Sequence, residues 1–171
     1  MPACAGRRVK MPWRRQRRPG SRSRPDDSMS GFTKVTLFSV EEANRTVAEL
    51  RPDLERLAAM KREFDQLGSR ADALSLALSG AAADNPDAAE LKRVTERRDA
   101  LAEQMLMGIE GIQRRGCLVK DIARGLVDFY SLSGDRLIFL CWQLGERAVD
   151  HWHTLEGGFA GRQPLDSTER G

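Results

Sequence analysis

The sequence predicts an α+β protein: a long antiparallel α-helical hairpin of coiled-coil character, followed by a small antiparallel β-meander. Three observations predict it. Apolar residues recur at helical spacing from Leu54 to Leu78 and again from Leu91 to Ile112. A short stretch of small residues closed by Asn85-Pro86 separates the two runs. After Gly116 the period shifts to the alternation of strands. The expected divisions are a disordered Arg-rich tail (1–30), the hairpin (31–116), a β unit with a Gly-rich loop (117–165) and a short disordered tail (166–171).

Lys34 to Phe38 alternates as a short strand or extended lead-in. Ser39-Val40-Glu41-Glu42 is a capping box: the Ser39 hydroxyl can accept from the Glu42 N–H, and the Glu42 carboxylate from the Ser39 N–H. A helix therefore starts near Val40. Pro52 cannot donate to the carbonyl of Ala48, so a kink or restart is expected near Leu50–Pro52. Leu54, Leu57, Phe64, Leu67, Ala71, Leu74 and Leu78 then follow at spacings of 3, 7, 3, 4, 3 and 4. Gly80 ends the run, and Gly80–Asp84 forms the loop. Asn85 caps a second helix with Pro86 at its first position, running to about Arg115. Leu91, Val94, Leu101, Met105 and Ile112 form its apolar stripe, with Arg98 and Gly108 in the remaining places. Helices of about 26 and 30 residues, each roughly 40–45 Å long, should pack antiparallel. Each stripe is narrow, so a second copy or the β part must cover the rest.

In the β unit, Cys117–Lys120 and Leu126–Tyr130 read as strands, the second with Asp128 and Tyr130 on one face and Val127 and Phe129 on the other. Ser133–Asp135 is a hairpin loop. Leu137–Trp142 is nearly continuously apolar, as for a central strand covered on both faces. Leu144–Glu146 turns and Ala148–His153 returns, giving three or four strands.

Composition limits the function classes. Of the chain's residues, 40% are hydrophobic and 31% charged, a balance that two long amphipathic helices explain. The net charge of +3 conceals an asymmetry: residues 1–28 hold nine Arg and Lys against Asp26 and Asp27, so the remainder is net −4. Nucleic-acid binding by the folded part is not indicated, and a nucleic-acid partner is expected only through the N-terminal arm. That tail reads either as a basic arm for nucleic acid or anionic lipid, or as an artefact of start-site choice ahead of Met29. No stretch has the roughly 18 apolar residues that a membrane span needs, so no membrane partner is expected. Three cysteines without a CxxC spacing suit a reducing cytoplasm.

Candidate site residues concentrate after Asp128. His151 and His153 share a strand face, with Cys141 on the preceding strand and Asp128, Glu146 and Asp150 nearby. Two imidazoles with a thiolate suit a divalent metal such as zinc, and with a carboxylate Fe²⁺ or Mn²⁺. The plainer alternative makes His153 a structural hydrogen-bonder, His151 an exposed strand residue and Cys141 core. Gly157, Gly158, Gly161 and Arg162 could hold an anion; alternatively Arg162 pairs with Glu146 or Glu156 and anchors the loop. Phe129, Tyr130, Trp142, Trp152 and Phe159 could form a recognition surface, but a small sheet needs large side chains as core. Asp128 or Glu146 could accept from the indole N–H groups of Trp142 and Trp152. No motif for a catalytic nucleophile is present.

The runs GLVDF (Gly125–Phe129), LCWQLGE (Leu140–Glu146), WH (Trp152–His153) and GFAGRQPL (Gly158–Leu165) resemble the bacterial domain-of-unknown-function family 2203. LFSVEEAN (Leu37–Asn44) and LRPDLERL (Leu50–Leu57) resemble its opening helix, so the likeness spans about residues 36–165. It implies a helical hairpin followed by a small β unit and brings no catalytic residues with it. The expected function is therefore a non-catalytic cytoplasmic interaction or adaptor protein, self-associating as a dimer through its hairpin. A metal-binding protein or small metal-dependent enzyme, with its site on the β unit, is the second expectation.

Overall fold

The computed structural model describes residues 35–79 and 85–166. The Arg-rich tail, Lys34, the Gly80–Asp84 loop and residues 167–171 lie outside the described residues. The chain divides into units at 1–33 and 34–171, and every described residue belongs to the second.

Two long helices pack together and are followed by a five-stranded antiparallel sheet. Helix α1 spans Val40–Leu78 and α2 spans Pro86–Gln113. Both halves of the capping box form: Ser39 Oγ accepts from the Glu42 N–H at 3.2 Å, and Glu42 accepts from the Ser39 N–H at 2.9 Å. Asn85 Oδ1 accepts from the Asp87 N–H at 2.9 Å, with Pro86 in the first turn.

Of the kink or restart expected near Pro52, the restart does not occur, and α1 is one 39-residue helix rather than one of about 26. Pro52 and Ala48 both lie on the exposed side, so water can satisfy the carbonyl that the proline leaves unpaired. Leu50 and Leu54, on either side of the proline, are fully buried. Their burial, at about 2 kcal/mol each, offsets the roughly 3 kcal/mol that an interior proline costs.

The helices run antiparallel, as the pairs between them show. Glu63 bonds Arg97 at 2.8 Å and Glu90 bonds Arg70 at 2.7 Å, so positions ascending α1 meet positions descending α2. Gly108, in the apolar stripe of α2, packs tightly on α1: a Cβ there would lie 2.8 Å from Leu57 Cδ2.

The strands are β1 Cys117–Asp121, β2 Leu126–Ser133, β3 Arg136–Trp142, β4 His151–Thr154 and β5 Gln163–Pro164, paired in chain order. This is one strand more than the upper expectation, and the return strand begins at His151 rather than Ala148. The hairpin between β2 and β3 turns on Gly134-Asp135 alone. The lead-in to α1 is extended but pairs only locally with the sheet: Phe38 N–H donates to Tyr130 O at 2.8 Å, and Ser131 Oγ donates to Phe38 O at 2.7 Å.

One sheet face packs on the helices. Val127, Phe129, Ile138, Leu140 and Trp142 join Ala43, Val47, Leu50, Leu54, Leu57, Met105 and Ile112 in a single core. The sheet thus covers the half of the hairpin nearest to it. In the distal half the helices meet each other, with Ala71 and Leu74 buried in the seam and Phe64, Leu67, Leu78, Leu91 and Val94 half-buried.

Candidate metal centre

Strand alternation places Asp128, Tyr130, Phe139, Cys141, His151 and His153 on the sheet face opposite the helices. Register decides which of them meet. Asp128 lies directly across from Cys141, and Cys141 directly across from His151. His153 sits one pair further along, opposite Phe139.

Asp128, Cys141 and His153 are all buried, and their donor atoms lie within 4.8 Å of one another. His153 Nε2 is 3.3 Å from Asp128 Oδ2. The other ring nitrogen is committed: His153 Nδ1 lies 2.7 Å from the Thr154 carbonyl, which can only accept. Nδ1 therefore carries a proton, and Nε2 faces the carboxylate, donating to it as the imidazolium and free to hold a cation as the neutral ring. Asp128 Oδ1 has no hydrogen-bond partner among the described residues, although Asp128 is 1% exposed. Lys120 reaches in from β1, its Nζ 3.8 Å from Asp128 Oδ2 and 5.2 Å from the centre of the Phe139 ring. Burial pushes the Cys141 thiol well above its ordinary range, and the Asp128 carboxylate adds to the shift. The Arg162 guanidinium pulls the other way without outweighing burial, so Cys141 stays a thiol, which argues against a nucleophilic role.

A second polar group flanks this one. Arg162 Nη2 lies 2.8 Å from the Glu146 carboxylate and donates to the Cys141 carbonyl at 3.2 Å. Burial, the largest single cause, would lower the Arg162 guanidinium, but its bond to Glu146 together with the charges of Cys141, Glu146 and Asp128 outweighs this and the net shift is upward. Glu146 also accepts from the Gln143 N–H at 2.8 Å, while its backbone carbonyl accepts from Trp142 Nε1 at 3.2 Å and Arg51 Nη2 at 3.3 Å. His151 Nδ1 is 3.9 Å from Glu146 Oε1, too far for a hydrogen bond.

Residues 36–165 match the profile of a family described as "Uncharacterized conserved protein (DUF2203)". The chain belongs to the DUF2203 family. Both helices and all five strands, with every residue of the centre, lie inside the DUF2203 match. No curated protein and no solved structure matches the chain.

In this DUF2203 chain the predicted metal residues separate. Cys141 and His153 come together, whereas His151 leans toward Glu146 and stands outside the close group. Asp128, expected only as a neighbour, takes the third place because β2 and β3 pair Asp128 with Cys141. The signal was a lone carboxylate in the middle of an apolar strand, GLVDFYSL, where a buried charge needs a partner.

The Gly-rich loop is occupied by its own bonds. Gly157 N–H donates to Thr154 at 3.1 Å, and Gly161 N–H to Gly157 O at 3.1 Å. Gly158 takes the positive φ of 55° that the turn requires. Trp142 and Phe129 are fully buried, Trp152 is half-buried against the helical core, and Phe159 is exposed with Arg124 and Arg162 over its ring. The Trp142 indole donates to the Glu146 backbone carbonyl rather than to a carboxylate. Among the described residues, no helix is long and apolar enough to cross a membrane.

Proposed function

We propose that the protein binds a divalent metal ion, held by Asp128, Cys141 and His153 on the outer face of its sheet. The observation that carries this reading is the unpartnered carboxylate oxygen of Asp128, buried beside a fixed imidazole nitrogen. An unsatisfied carboxylate oxygen at such a position is expensive unless a cation meets it. The donor set is one carboxylate, one thiolate and one imidazole, which suits a borderline-soft ion of the zinc class. A tetrahedral zinc spaces its donors by about 3.3–3.8 Å, so a group within 4.8 Å needs to contract by only about 1 Å. The Thr154 carbonyl is the outer partner that orients a ligating histidine. The ion would ionise the Cys141 thiol on binding, and two anionic ligands would then balance its charge.

The test is elemental analysis of the full chain, purified without a chelating tag and refolded with excess zinc. About one ion per chain is expected in the wild type, and little in Asp128→Asn or Cys141→Ser. A wild type that holds none would end this reading.

A second reading, self-association through the hairpin as a cytoplasmic interaction protein, is favoured by a different observation. Beyond the buried Ala71 and Leu74, the distal seam residues Phe64, Leu67, Leu78, Leu91 and Val94 stay half-buried, and Leu76, Leu106 and Met107 on these helices are exposed. A second hairpin would cover such a seam, as in four-helix arrangements. Cys117 and Cys141 are both free thiols, which suits a reducing compartment. Sedimentation equilibrium decides this reading: a dimer that Leu106→Glu converts to monomer supports it, and a monomeric wild type removes it.

A further inference from the structure

We propose that His151 is the fourth ligand of this centre, which makes it a closed tetrahedral site rather than an open one with a place for water. The inference rests on the metal-binding reading above and extends it.

Three observations carry it. His151 is the cross-strand partner of Cys141 on the same sheet face, so its Cβ stands within about 4.5–5.5 Å of the Cys141 Cβ. An imidazole extends far enough from that point to reach an ion bound to Sγ. Second, His151 Nδ1 is a buried atom with no hydrogen-bond partner among the described residues. Its nearest anionic group, Glu146, stands at 3.9 Å and is already satisfied by Arg162 and the Gln143 N–H. A side chain that gives up no hydrogen bond can turn toward an ion at little cost, and it gains a partner by doing so. Third, the other approaches are taken. Lys120 covers the β1 side of Asp128, and Arg162 is tied to the Cys141 carbonyl. His151, 37% exposed, stands beside Cys141 between the group and part-exposed Glu146.

Closure has a chemical consequence. Three protein ligands plus a water make a hydrolytic centre, whereas four protein ligands make a structural one. The closed form would staple β2, β3 and β4 together through Asp128, Cys141 and the two histidines, and would supply no bound hydroxide. The ligand class is therefore a tetrahedral, d¹⁰-type divalent cation, and its role is to hold the sheet.

Cobalt substitution of the full chain tests this with two separate signals. A thiolate-to-cobalt charge-transfer band reports Cys141 and hence the underlying site. Visible d–d bands that ignore added azide report a fourth protein ligand, because a water in that place would exchange for the anion. The wild type should show both. His151→Ala should keep the charge-transfer band, gain d–d bands that shift with azide, and bind cobalt more weakly. Loss of an outer-shell partner already weakens metal sites by about 10–100-fold, so loss of a ligand should cost at least that. His151→Cys should restore azide-insensitive d–d bands and strengthen the charge transfer, which guards against a variant that has merely misfolded. A His151→Ala spectrum and affinity equal to the wild type would overturn the fourth ligand and leave the three-residue site intact. Absence of cobalt uptake, or uptake without the charge-transfer band, would remove both.

Discussion

His153 Nε2 stands 3.3 Å from Asp128 Oδ2, with each side chain only 2% exposed. Since Nδ1 is already bonded to the Thr154 carbonyl, a protonated Nε2 is the buried partner that His153 offers the carboxylate. Replacing His153 by Ala leaves the carboxylate only the part-exposed Lys120 ammonium at 3.8 Å. Removing one member of a buried pair costs about 3–5 kcal/mol. Urea unfolding in the presence of a chelator should show a loss of this size with an unchanged m value. A loss below about 1 kcal/mol would mean that Asp128 is solvated by some other route.

Lys120 competes with any cation at Asp128, because its ammonium is 3.8 Å from Oδ2. The side chain is 42% exposed, so solvent screens the competition. Pairs of this kind are worth about 0.2–1 kcal/mol, and Lys120→Met should therefore tighten zinc binding only about two- to fivefold. Competition titration against a colorimetric chelator measures it, and weaker binding in the variant would contradict the arrangement.

Cys117 is fully buried and its thiol donates to the Ile112 carbonyl at 3.4 Å. Burial pushes it up from 9.0 to about 11. Below pH 9 both folded and unfolded chains hold the proton, and the stabilisation is complete. Between about pH 9 and 11 the unfolded chain ionises while the folded one does not, so stability falls with rising pH. Two units correspond to about 2–3 kcal/mol. Unfolding free energies across this range should fall more steeply in the wild type than in Cys117→Ala; equal slopes would rule this account out.

Gly125 and Gly134 have nearly the same backbone, with φ of 59° and 61°. A Cβ at Gly134 would meet nothing within 4 Å, whereas one at Gly125 would run into the Leu144 side chain. Gly134→Ala should cost only the left-handed strain, about 1–2 kcal/mol. Gly125→Ala should cost that and about 1–3 kcal/mol more for overpacking. Thermal unfolding of the two variants isolates the steric part, and equal losses would show that Leu144 moves aside freely.

The parts of the fold that were legible in the sequence are those set by local chemistry. Ser39 with Glu42, and Asn85 with Pro86, mark helix starts because their side chains serve backbone groups a few residues away. Pro52 misled, since its local cost is outweighed by the burial of Leu50 and Leu54 against a sheet about 75–90 residues further on. The centre was half legible for the same reason. The HxH spacing placed His151 and His153 on one face, and alternation placed Asp128 opposite Val127. The pairing of Asp128 with Cys141 depends on how β2 and β3 align through the Gly134-Asp135 turn, and a slip of one residue would have moved Asp128 to the other face. The inclination of His151 toward Glu146 depends on a loop conformation that no periodicity encodes.

The bond from Ser131 to the Phe38 carbonyl joins residues 93 positions apart, and the sheet residues that complete the cover of α1 between Ala43 and Leu54 are of comparable remoteness. On a ribosome adding about 5–20 residues per second, roughly 5–20 s separate the appearance of that helix from the appearance of its cover. The strands, joined each to the next in chain order, need no such wait. The nascent chain therefore carries a partly exposed greasy helix until its last strands emerge, so α1 is the segment on which a holding chaperone would act.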